Sequence, residues 1–76
     1  MKYENMTDVQ RDKQQFVRKH ISGLVKALDP RIKRVEFKIR DGEEFVVLSY
    51  DDRHDKYICV TADSLVALAR DVLLRM

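Results

Sequence analysis

Between Arg34 and Thr61 apolar and charged residues alternate along the chain, in the run RVEFKIRDGEEFVVLSYDDRHDKYICVT. An alternation of period two marks strands with one face in a core and one in water. The run divides into three strands of about 33–39, 44–50 and 56–60. Asp41-Gly42 supplies the first hairpin turn and the acidic stretch Asp52–Asp55 the second. Ahead of the strands, apolar residues recur at helical spacing. Val9, Phe16, Val17, His20, Ile21, Leu24, Ala27 and Leu28 fall in one sector of a helix running from Asp8 to about Leu28. Thr7 to Gln10 forms a capping box at its start. Asp29-Pro30 stops it, because proline drives the preceding residue out of the helical region. A final helix follows the strands, capped by Thr61 or Asp63, with Leu65, Val66, Leu68, Ala69, Val72, Leu73 and Met76 over about half its circumference and Leu74 misplaced among the polar residues.

The predicted order is αβββα, an α+β fold. Its simplest packing is a two-layer sandwich: a three-stranded antiparallel meander with both helices on one face. Residues 1–6 are expected to form a flexible terminus and residues 7–76 a single domain. The other face of the sheet is then left bare, and it is not as polar as a solvated face should be.

Which residues occupy that second face depends on two turns. A two-residue loop at Asp41-Gly42 sets Glu44 opposite core-facing Ile39 and turns Phe45 and Val47 outward. A three-residue loop, with Gly42 left-handed in a bulge, sets Phe45 opposite Phe37, Val47 opposite Val35 and Lys38 opposite Glu44. The second register fills the core and pairs the charges, so it is preferred. A four-residue second turn pairs Asp51 with Lys56 and Tyr50 with Tyr57. The bare face then carries Val46, Leu48, Tyr50, Tyr57 and Cys59, ringed by Arg34, Lys38 and Arg40. Apolar patches with aromatic centres and charged rims mark interfaces. The expectation is a protein–protein interaction module that binds a protein partner or itself as a homodimer.

Charge adds an alternative. Residues 1–40 hold 11 Lys and Arg against 5 Asp and Glu, whereas residues 41–76 hold 4 against 8. The first part is therefore net +6 and the second net −4. Mutual neutralisation between adjacent elements is one outcome of this asymmetry. A basic surface for single-stranded nucleic acid is another, built from Arg11, Arg18, Lys19 and Lys26 on the first helix and Arg31, Lys33, Arg34, Lys38 and Arg40 in and around the first strand, with Tyr50 and Tyr57 as stacking rings. The αβββα order is also similar in topology to double-stranded RNA-binding domains. That resemblance implies lysines at the start of the second helix and a histidine in the first strand loop. This chain has Thr61-Ala62-Asp63-Ser64 and Asp41-Gly42 there, so the activity is not carried over. An accessory protein of the phage or mobile-element kind is the matching alternative function.

Little in the sequence points to catalysis. With two glycines there is no phosphate cradle of the usual kind, and there is no CxxC motif and no nucleophile elbow. His20 reads as a core histidine, Asp51–Asp55 with His54 as a solvated turn, and Cys59 as a small strand residue. No enzyme activity, metal or cofactor is expected. The lone cysteine, the absence of an apolar leader and the absence of a run of ~20 apolar residues lead to the expectation of a cytoplasmic protein without a membrane span.

Overall fold

The computed structural model describes residues 7–60 and 64–76. The expected flexible terminus and the expected caps Thr61 and Asp63 lie outside the described residues. Helix α1 is continuous through three segments, Asp8–Phe16, a π-helical turn Val17–Ile21, and Ser22–Leu28. Strands β1 (Ile32–Arg40), β2 (Glu43–Tyr50) and β3 (Asp55–Cys59) follow, then helix α2 (Leu65–Arg75). The strands form one antiparallel sheet in the order β1-β2-β3. Side chains from both helices meet one face of it, in a core of Val17, Ile21 and Val25 from α1, Leu68 and Val72 from α2, and Ile32, Val35, Phe37, Val46, Leu48, Ile58 and Val60 from the sheet segment. The expected α+β two-layer architecture is what the chain forms.

The capping box is present at the start of α1: Thr7 accepts from the Gln10 N–H at 3.1 Å, and Gln10 accepts from the Thr7 N–H at 3.0 Å. The apolar face of α1 differs from the helical wheel. Its buried residues are Lys13, Val17, Ile21 and Val25, each four positions after the last. In a regular helix a four-residue step drifts by about 40°. The wide turn, in which Ser22 donates to the Val17 carbonyl five residues back, cancels that drift. Val25 is thereby brought over the sheet. His20, Leu24 and Leu28 are carried off it, and all three are exposed, as are Val9 and Ala27. His20 is therefore not a core histidine; its ring lies against Phe16, with centroids 5.5 Å apart. The cap of α2 is Ser64, which accepts from the Ala67 N–H at 3.2 Å.

Both hairpin registers differ from the preferred ones. Asp41 and Gly42 have φ of 53° and 79°. Two successive left-handed residues make the primed two-residue turn whose twist matches the strands. Arg40 then pairs with Glu43, Phe37 with Val46 and Val35 with Leu48. The objection to this register was Glu44 on the helix side of the sheet, opposite Ile39. Lys13 answers it: its ammonium donates to Glu44 Oε1 at 2.7 Å, and Gln10 Nε2 donates to Glu44 Oε2 at 3.0 Å. The bulge falls elsewhere. The β1–β2 register shifts between Ile32 and Arg34, so Ile32 and Val35, three apart, are both buried.

The second hairpin closes through Tyr50, whose N–H donates to the His54 carbonyl at 3.0 Å and whose carbonyl accepts from Arg53 at 3.0 Å. Val47 pairs with Tyr57 and Leu48 with Lys56, rather than Tyr50 with Tyr57. Arg53 holds φ of 73°, a conformation that costs a residue with a Cβ about 1–2 kcal/mol. Its side chain is exposed. Arg53→Gly keeps the backbone bond and removes the strain. It is expected to stabilise the fold by about 0.5–1 kcal/mol after the added freedom of the unfolded glycine. A higher urea midpoint at unchanged slope is the readout.

Candidate interaction surface

Strand pleating and the observed register place the residues of the second sheet face, which neither helix of the described residues covers. They are Arg34, Glu36, Lys38 and Arg40 from β1, Glu43, Phe45, Val47 and Ser49 from β2, and Asp55, Tyr57 and Cys59 from β3. Of the expected surface residues, Tyr57, Cys59, Arg34, Lys38 and Arg40 stand on it. Val46 and Leu48 do not: both are 0 % exposed, in the core. Tyr50 also lies on the helix side, packed against the core and stacked on His54 at 4.4 Å, with the Arg31 guanidinium 5.8 Å from its ring. The cause is the two-residue turn, because a register slip of one residue exchanges the two faces of a strand. Phe45 and Val47, the pair that this turn was expected to expose, take their place.

The centre of the face is aromatic. Phe45 and Tyr57 meet edge to face with centroids 5.9 Å apart, and the Arg40 guanidinium lies 5.9 Å from the Tyr57 ring. Val47 sits among them at 1 % exposure, whereas Tyr57 remains 47 % exposed. Cys59 is half-buried beside Phe45, its partner in the register. On the rim, Lys38 lies 3.6 Å from Glu36. Positive charge gathers on β1, and Glu43 and Asp55 bring negative charge on the other strands.

A second apolar stripe stands on α2. Val66 and Leu74 are 80 % and 77 % exposed, with Arg70 between them. The wheel placed Val66 in the buried sector; only Leu68 and Val72 of this helix are buried. The signal available in the sequence was that leucine, valine and alanine run nearly all round the helix, more than one-sided packing can cover.

The acidic turn is held by its own polar groups. Asp52 accepts from the His54 N–H at 3.2 Å and meets the His54 ring, and the backbone bond chiefly holds its carboxyl below the usual range. At the same end of the sheet, where the Asp51 N–H donates to the Arg31 carbonyl at 2.8 Å, the Arg31 side chain does the same to Asp29 through bonds of 3.0 and 2.9 Å. Among the described residues no three histidine, cysteine or acidic side chains converge as metal ligands. Nor is any helix among them long and apolar enough to cross a membrane.

Few ion pairs among the described residues join the basic and acidic parts of the sequence. Lys13–Glu44 joins its two parts, while Arg11, Arg18, Lys19, Lys26 and Arg34 are exposed and outside the ion pairs of the described residues. Tyr50 and Tyr57, the expected stacking pair for nucleic acid, lie on opposite sides of the sheet. Comparison of the chain with protein families, with characterised proteins and with solved structures finds no match.

Proposed function

We propose that this chain is a small non-enzymatic protein–protein interaction module that self-associates through the uncovered face of its sheet. The observation that carries this reading is the apolar content of β2 on both faces. Val46 and Leu48 fill the core, and on the other side the partly exposed Phe45 and half-exposed Tyr57 stand beside the already buried Val47. A two-fold axis lets the same patch cover itself, and the mixed rim suits that symmetry: Arg34, Lys38 and Arg40 of one copy can meet Glu43 and Asp55 of the other. The cytoplasm is the compartment that suits a lone thiol on such a face.

Sedimentation of the wild-type chain and of Tyr57→Lys tests the proposal. Tyr57 is exposed enough for its replacement to cost the fold only about 0.5–1.5 kcal/mol of ring contact. The wild type is expected to sediment as a dimer at tens of micromolar and the variant as a folded monomer. A variant that stays dimeric moves the contact to another surface, with Val66 and Leu74 next in line. The alternative of a nucleic-acid-binding accessory protein draws on the exposed cations of α1. It requires steeply salt-dependent RNA or DNA binding that is lost when Arg34 and Lys38 are replaced.

A further inference from the structure

A groove of about 420 Å³ runs along the free edge of β1, lined by the four consecutive residues from Arg34 to Phe37 and by Gln14, Arg18 and Ser22 of α1. Four neighbours in a strand alternate between its two faces, so a cavity that touches all four lies against the strand's edge. Among the described residues the sheet order leaves that side of β1 without a neighbouring strand.

The backbone there is aimed outward. The Glu44 carbonyl accepts from the Val60 N–H at 2.9 Å, on the β3 side of β2. Glu44 is paired with Ile39. By the alternation of an antiparallel ladder, Ile39, Phe37 and Val35 turn their own N–H and C=O groups away from β2. No described residue bonds to these groups. Unpaired strand edges invite another strand, and a helix beside the edge supplies a wall for its side chains.

We propose that this groove receives an extended acidic peptide segment as a fourth strand of the sheet. Two observations select that occupant. The first is steric. Helix α1 packs over β1, burying Val17, Ile21 and Val25 against the sheet. Paired strands sit ~4.8 Å apart, whereas packed helices need ~8–10 Å between axes. A second copy joined edge to edge would bring its own α1 into the space of the first, so the incoming strand must be one that carries no helix above it. The second is charge. Arg18 on the helix wall and Arg34 on the strand are both exposed, and neither joins an ion pair among the described residues. Side chains of an added strand alternate between the two faces, so one row meets Arg18 and the other Arg34. Acidic side chains in both rows find a cation; Glu36, the one carboxylate that lines the groove, lies 3.6 Å from the Lys38 ammonium. The groove shares Arg34 and Glu36 with the rim of the uncovered sheet face but not its aromatic centre of Phe45 and Tyr57.

The test is an NMR titration of the isotope-labelled full chain with a short blocked peptide of alternating Glu and Thr. Its comparators are a twin N-methylated at alternate residues and single-stranded polyuridine. With the first peptide, amide exchange at Val35, Phe37 and Ile39 is expected to slow, and Gln14, Arg18 and Ser22 to shift. The N-methylated twin, unable to complete the ladder, is expected to cause neither change. Joint replacement Arg18→Glu and Arg34→Glu is expected to weaken peptide binding by roughly tenfold, the sum of two exposed charge contacts, with an unchanged melting temperature. Equal binding by the N-methylated twin overturns the proposal. So do shifts confined to Phe45 and Tyr57, no shift at millimolar peptide, or binding of polyuridine alone.

Discussion

Leu48→Lys is expected to unfold the chain. Leu48 is fully buried, opposite Val35 on β1, and packs in the cluster where both helices meet the sheet. Removing a buried leucine side chain down to alanine costs about 2–5 kcal/mol. A lysine adds an ammonium with no carboxylate among the core residues to pair with, which costs several kcal/mol more. A domain of 76 residues has about 4–11 kcal/mol of total stability to lose. Loss of the cooperative thermal transition, with Leu48→Ala retaining a lowered one, is the expected readout. The three-residue loop would have put Leu48 on the bare face, where lysine leaves the fold intact and only disrupts association. The same variant therefore separates the two registers, and a folded Leu48→Lys would contradict the one observed.

The second large effect concerns the ion pair that makes this register tolerable. Lys13→Ala removes the partner of a carboxylate that is itself only 17 % exposed. Breaking a fully buried pair from one side costs about 3–5 kcal/mol; with Gln10 still bonded to Glu44, about 2–3 kcal/mol is expected here. The double replacement Lys13→Met with Glu44→Leu is expected to restore most of that loss, because an apolar pair of similar volume has no charge to desolvate. Acid has a related effect. Burial pushes the Glu44 carboxyl up, but the bonds from Lys13 and Gln10 outweigh it and hold it below the ordinary glutamate value. A depressed carboxylate contributes stability that is fully present above its unfolded pKa and is lost as pH falls through its folded one. Urea midpoints are thus expected to decline on the acid side of the ordinary glutamate range, and more steeply in the wild type than in the double variant.

The architecture was legible because local signals agreed with it. The capping box at Thr7, the stop at Asp29-Pro30, the period-two runs and Asp41-Gly42 each name an element or its end. The register was not legible, because it turns on a contact between residues 31 positions apart. Placing Glu44 on the helix side looks like a misplaced charge until Lys13 is seen to reach it. The sequence wheel for the first helix failed for a related reason. It assumes 100° per residue, and the wide turn at Val17–Ile21 resets the phase, exchanging Leu24 for Val25. What carried through both errors is the surplus of apolar residues on β2. Val46-Val47-Leu48 has no polar break, so either register leaves apolar side chains on the uncovered face. The membership changed from Val46, Leu48 and Tyr50 to Phe45 and Val47, while Tyr57 and Cys59 kept their places. The groove beside β1 had no sequence signal of its own, since Gln14, Arg18 and Ser22 reach it only through the packing of α1 on that strand.

Cys59 offers the most direct test that the uncovered face is the contact surface. It is the single cysteine of the chain, it lies on that face, and it pairs in register with Phe45 at the aromatic centre. The measurement is the rate of thiol alkylation of the native protein at constant reagent, over a range of protein concentration. A face covered by a second copy predicts a rate constant that falls as the dimer forms, and one that stays high and flat in Tyr57→Lys. A wild-type rate constant independent of concentration, across a range in which sedimentation shows the dimer, would contradict it.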